Sequence, residues 1–451
     1  MQFCEHHHAH AAAAYLPSGF DDAAIMIVDG AGEWATTSLW HGRGDALESL
    51  GQQQFPNSLG MFVAALTQYL GFEPEKDEHK LEALAAYGEP RYVDSLLELV
   101  QLEPDGVVAI DQTPFRFRFD GELLFNAQLV DRLGPVRLPG GPLDLEGGDR
   151  RFADIAASVQ EVLERALLHI ARHAHTRVPS KRLCVGGSVA LNAHAMARLH
   201  REGPFDELFV EPLAHDGGAA LGAALLGSTL SGAAVEQTTD WIGLGDPVRL
   251  VAEETAELQA FDVEGQLEER AAEALDDGKY VGFVNGRSAW HPNSLGRRSL
   301  FADPRNAHAR EAMNSRVVRR DAFLPLRAVV TREGAAELFD LPIGADGPLR
   351  HGLLAVPVRA EARDRIPAVV HEDGSAWVQL VDEGAQPELH RLLTACAART
   401  GLPLLAEADL AVRGEPPVRG AREALEFFER TDLDLVVLDD RLLERVPSAT
   451  H

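Results

Sequence analysis

Residues 4–34 read CEHHHAHAAAAYLPSGFDDAAIMIVDGAGEW, and the order of these letters sets an α/β pattern from the start. Residues 5–16 are rich in alanine and unbroken by Gly or Pro, which predicts a helix. Ala23–Asp29 (AAIMIVD) is an apolar run that stops at Gly30-Ala31-Gly32. The alternating stretch Glu33–Trp40 follows, so the two runs predict a β-hairpin.

Outward from this stretch, helical patterns cover about 58–71 and 152–176. Leu183–Val185 reads as a short buried strand running into Gly186-Gly187-Ser188, with a helix from about Asn192. Strands alternating with helices predict α/β architecture. Beyond Asp240 come GLGDPV, an acidic stretch, a helix ending at Gly278 and a strand at Tyr280–Val284. A boundary near 248 gives two domains, 1–248 and 249–451. The second carries short strands at Leu353–Arg359, Ala376–Leu380 and Leu435–Leu438 and reads as α+β.

A chain of 451 residues with 45% apolar and 25% charged residues has the composition of a globular protein of two to three domains. Its net charge of −28 opposes non-specific attraction to nucleic acid and to anionic membranes, so small molecules or other proteins are the expected partners. Only Lys76, Lys80, Lys181 and Lys279 are lysines, and nearly all positive charge is arginine. Cys4, Cys184 and Cys396 form no CxxC pair, which fits a reducing, cytoplasmic setting. No apolar run reaches the roughly 18 residues of a membrane span.

His6 and His10 stand four apart on the predicted helix and share one face. That spacing suits a divalent metal, zinc or iron, with Asp29 at a strand end as a third ligand. A tag remnant or a solvated histidine turn are the alternatives, although HHHAH is interrupted and runs on into an apolar helix. In Glu211–Leu225 (EPLAHDGGAALGAAL), Asp216 has the chemistry of a ligand. The N–H groups of Gly217 and Gly218 either receive phosphate or mark close helix–sheet packing. Gly186, Gly187 and Ser188, with Asn192 beyond, carry the same two readings.

Taken in order, Cys4–Trp34, Phe55–Phe72, Glu78–Pro90, Gly186–Asn192 and Glu211–Leu225 resemble the O-carbamoyltransferases of nodulation and antibiotic pathways. Gly286–Arg305, Pro367–Val381 and Val412–Pro416 resemble the carboxyl-terminal domain of the same family. The resemblance implies an actin/Hsp70-like first domain, similar to the tRNA threonylcarbamoyl-adenosine transferases, and a YrdC-like second domain. It implies that the second domain makes carbamoyl-adenylate from carbamoyl phosphate and ATP, and that the first passes the carbamoyl group to a small-molecule hydroxyl. His6, His10, Asp29 and Asp216 are then the metal ligands, and Gly186, Gly187, Ser188, Asn192, Gly217 and Gly218 the nucleotide contacts. Arg287, Arg298, Arg305 and Arg413 are the cations left for carbamoyl phosphate and ATP.

The sequence also departs from the family pattern. Relatives place a strand-rich segment with a His-Asp motif before the metal-binding helix, where this chain has five residues. A partner chain supplying those strands, a late start, or loss of that chemistry are the expectations. Ala289, His291, Asn293, Val318, Leu324, Trp377 and Glu407–Ala411 (EADLA) replace residues of the second-domain pattern. With cationic donors removed and carboxylates added, weak anion binding is expected there. Two classes of function follow: an ATP-dependent O-carbamoyltransferase of secondary metabolism, or a non-catalytic relative that binds nucleotide or a catalytic partner.

Overall fold

A computed structural model describes residues 3–117, 122–141, 143–145, 147–233, 242–248 and 266–445. The chain divides into two compact units. The first is Met1–Gln237 with Pro342–Pro348 and Leu353–Ala355, and the second is Thr238–Leu341, Leu349–Gly352 and Val356–His451. The acidic stretch expected at 249–262 lies outside the described residues.

The first unit opens with helix α1 (His6–Tyr15) and then a three-stranded meander, β1 (Asp22–Gly32), β2 (Ala35–Arg43) and β3 (Ala46–Gln54). Helices α2 (Leu59–Tyr69), α3 (Glu78–Ala85) and α4 (Val93–Leu97) follow, then a small hairpin, β4 (Val100–Leu102) with β5 (Val108–Ile110). Next come α5 (Ala127–Leu133), the long α6 (Arg150–Arg177), β6 (Arg182–Gly186), α7 (Ala193–Glu202), β7 (Glu207–Val210) and α8 (Asp216–Leu230). The sheet order is β3-β2-β1-β6-β7. The meander pairs antiparallel, and β6 and β7 run parallel to β1.

Central β1 is buried along Ala23–Asp29, as an apolar run between neighbours on both sides requires. β3 is a strand the sequence reading left out, because ALESLGQQQ lies at the sheet edge and is mostly exposed. The helix expected from about Asn192 is α7, which Asn192 caps, and a 3₁₀ turn over Ser188–Leu191 precedes it. Ala9 and Ala11–Ala14 of α1 are buried, so small side chains let the helix lie close to its neighbours. Closest is α8, where a Cβ on Gly222 would stand 1.8 Å from the Ala9 carbonyl oxygen.

The second unit holds an eight-stranded mixed sheet, β11-β12-β10-β13-β9-β8-β14-β15. Its strands are β8 (Val281–Val284), β9 (Arg298–Ala302), β10 (Arg327–Thr331), β11 (Ala355–Pro357), β12 (Ser375–Val381), β13 (Leu404–Asp409), β14 (Leu435–Leu438) and β15 (Arg441–Glu444). Helices Leu267–Asp276 and Pro387–Thr400 lay Ala271, Leu275, Leu389, Leu392 and Leu393 on Phe283, Phe301, Val329 and Leu405 of the sheet. The strand expected over Leu353–Arg359 shrinks to Ala355–Pro357. All three cysteines are free thiols. No helix among the described residues is long and apolar enough to cross a membrane.

Candidate metal centre

Three separate elements of the first unit bring four ligand atoms together. Helix α1 presents His6 and His10 on one face, Asp29 closes the apolar part of β1, and Asp216 is the first residue of α8. The two histidine Nε2 atoms are 3.1 Å apart. Asp29 Oδ2 lies 3.3 Å from His6 Nε2 and 3.6 Å from His10 Nε2, and Asp216 Oδ1 lies 3.6 Å from His6 Nε2. One atom from each residue falls within 4.8 Å of all the others. Donors at roughly 2.0–2.2 Å from a common ion have mutual spacings of about 3.3 Å, so this set fits zinc or iron. It also fits chemically, since two imidazole nitrogens at this separation cannot both carry a proton toward each other.

His10 and Asp29 are held from behind. The ring of His10 is fully buried, and its Nδ1 meets both oxygens of Glu211 at 3.0 and 2.9 Å. Asp29 Oδ1 accepts from the Gly30 N–H at 2.7 Å and from the Ser188 hydroxyl, which leaves Oδ2 for the histidines. Burial works against the Asp29 charge, but the bonds from His6, Ser188 and Gly30 and the nearby His10 outweigh it. The carboxyl is held well below its usual range. The Glu33 carboxylate accepts the His6 backbone N–H at 3.2 Å and steadies the first turn of α1. Asp216 has an 89% exposed side chain, so the cluster opens to solvent on the side of α8. The other two histidines of the run point elsewhere: His7 Nδ1 bonds the Ser38 hydroxyl at 2.9 Å and His8 stacks on Trp40. Burial lowers the His7 pKa to about 4 and keeps its ring neutral at ordinary pH.

The residues expected to receive nucleotide are occupied within the fold. A Cβ on Gly186 or Gly218 would stand 2.5 and 2.1 Å from the Glu211 carboxylate. Gly187 has φ +83° and lies against the Val28 carbonyl. Asn192 caps α7 through the Ala195 N–H and exchanges amide bonds with Gln160. Ser188 is committed to Asp29, and the Gly217 N–H donates to His215 Nδ1 at 3.0 Å. These contacts favour the packing reading of both glycine turns. Glu211 escaped the sequence reading, because nothing local marks a carboxylate that meets its histidine 201 residues away.

Each of the four arginines of the second unit has partners within the fold. Arg298 is 2% exposed and donates to the carbonyls of Asn285, Arg297, Arg419, Gly286 and Asp246, so it serves as an internal tie, contrary to the phosphate role expected. Arg305 is paired with Asp303 and Asp276. Arg287 donates to the Gly243 and Leu244 carbonyls, and Arg413 lies 3.6 Å from Asp321. Of the EADLA residues, Glu407 and Asp409 take Arg327 at 2.8 and 2.7 Å. Val318 and Leu324 are buried apolar residues.

The sequence matches the family model for the carbamoyltransferase amino terminus over residues 1–225 and the one for the carbamoyltransferase carboxyl terminus over 272–445. An uncharacterized protein of Synechocystis sp. is 34% identical over 99% of this chain and 76% of its own length. Nodulation protein NolO of Bradyrhizobium diazoefficiens is 32% identical over 98% of this chain and 79% of its own. The 3'-hydroxymethylcephem-O-carbamoyltransferase of Amycolatopsis lactamdurans is 26% identical over 82% and 65%. Among solved structures, HypF of T. kodakarensis aligns with a TM-score of 0.26 and 20% identity, over 51% of this chain and 37% of that one. The chain is thus an enzyme of the group-transferring class. It belongs to the carbamoyltransferase family.

Proposed function

We propose that this chain is an O-carbamoyltransferase that moves a carbamoyl group onto a hydroxyl of a small secondary metabolite. The observation that carries the reading is the His6–His10–Asp29–Asp216 cluster, four ligand atoms drawn from three elements, with Asp216 exposed to solvent. A divalent ion bound by these residues supplies Lewis-acid polarisation of a carbonyl or phosphoryl oxygen. Asp29 contributes a fixed negative charge, and His10 contributes a lone pair. The exposed Asp216 faces the side from which an acceptor and an acyl donor arrive. Support for a hydroxyl acceptor comes from the cephem relative, and support for an actin/Hsp70-like first unit comes from the strand order β3-β2-β1-β6-β7. A YrdC-like second unit rests on the sequence resemblance.

A specific observation bears on the activation step. In the second unit, Arg298, Arg305 and Arg327 are bound to internal acceptors, which speaks against strong binding of carbamoyl phosphate and ATP there. On this reading carbamoyl-adenylate, where the chain uses it, is formed slowly. Elemental analysis after chelation and reloading with zinc or iron tests the site. Wild-type protein should retain about one ion and the His6→Ala/His10→Ala double variant none; equal content in both would sink the reading.

A further inference from the structure

We propose that Glu211 is the positioning residue of the metal centre, and that Gly186 and Gly218 are glycines because they house its carboxylate. The inference rests on the metal reading above and assigns a residue and a motif that the reading leaves out. Glu211 stands just past the end of β7 and its side chain is fully buried. Both oxygens face His10 Nδ1, at 3.0 and 2.9 Å, and Oε2 also accepts the Gly187 N–H at 3.2 Å. Two glycines abut it: a Cβ at Gly218 would fall 2.1 Å from Oε1, and one at Gly186 2.5 Å from Oε2.

A carboxylate only accepts, so the ring atom facing it carries the proton, and His10 is held as the Nδ1–H form. Nε2 then points its lone pair at His6, Asp29 and Asp216. Carboxylates behind ligand histidines commonly act this way, fixing ring orientation and raising ligand basicity. The arrangement also accounts for the two glycine turns on either side of β7, which are filled from within by Glu211.

The Glu211→Gln variant is the informative one. Its amide must turn an NH₂ either toward the Gly187 N–H, leaving two donors face to face, or toward His10 Nδ1. The second choice puts a donor in the Oε1 position, 3.0 Å from His10 Nδ1, and so weakens the hold on the Nδ1–H form that frees the ligand lone pair. Full-length apoprotein is titrated with cobalt(II), read by its visible absorption, and with zinc(II) against a chromophoric chelator. Separately, two-bond ¹H–¹⁵N spectra of the wild-type histidine rings report the His10 tautomer. Glu211→Gln and Gly218→Ala should each weaken metal binding by roughly ten- to a hundredfold, and wild-type His10 should be the Nδ1–H form. Wild-type affinity in folded Glu211→Gln, or an Nε2–H His10 in the wild type, overturns the inference. If neither variant folds, the wild-type tautomer decides. Wild-type protein that binds no cobalt would instead bring down the metal reading, and this one with it.

Discussion

At the scale of single residues, burial decides which groups are free to do chemistry. His351 is buried, and burial, aided by the charge of Arg350, lowers its pKa to about 3. An unfolded histidine titrates near 6.5. Between those values the unfolded chain takes up a proton that the folded one refuses, so stability falls as pH drops through the window. The wild type should lose on the order of 4 kcal/mol between about pH 6.5 and pH 3 from this group. His351→Phe should flatten that part of the profile, and urea midpoints measured across the range check it. Parallel profiles for the two proteins would exclude the effect. Residue by residue, His6 and His10 were legible from a four-residue spacing and Asp29 from its place after an apolar run. Asp216 drew its weight mainly from the family resemblance. Glu211 and the internal role of Arg298 were not legible, since both depend on partners supplied by distant parts of the chain.

At the scale of elements, the proposed metal centre depends on how closely α1 and α8 approach. Gly222 leaves no room under the Ala9 carbonyl, whereas Gly227, five residues on along the same helix, has nothing within 4 Å of an added Cβ. Gly222→Val should cost about 1–3 kcal/mol or more through overpacking and lower metal content without touching a ligand. Gly227→Ala should keep the metal and gain up to about 1 kcal/mol from helix propensity. Chemical denaturation paired with elemental analysis separates the two, and equal behaviour would show that the helix contact does not govern the site. Helices and central strands were read correctly in kind, because α1 is alanine-rich and free of Gly and Pro, α6 carries a long amphipathic pattern, and β1 and β6 are apolar runs that stop at glycine. The polar edge strand β3 was missed because its pairing comes from β2, with little signal in its own side chains.

At the scale of the whole molecule, the two units differ in how they manage charge. The first keeps an acidic and imidazole cluster open at Asp216, while the second ties its arginines to carbonyls and carboxylates. The chain should therefore catalyse carbamoyl-phosphate-dependent exchange of pyrophosphate into ATP far more slowly than a family member that carries this exchange activity, assayed beside it. Each missing charged hydrogen bond is worth about 1.5–3 kcal/mol, and several are absent; comparable exchange rates would overturn the expectation. The spread of the metal ligands from residue 6 to residue 216 has a further consequence, in time. A ribosome adds about 5–20 residues per second, so α1 leaves it some 10–40 seconds before α8 is made. Through that interval the alanine face of α1 lacks one of its covers and the histidines lack their fourth ligand. On the metal reading, an ion held by all four residues is captured last, after every strand of the first sheet has been made.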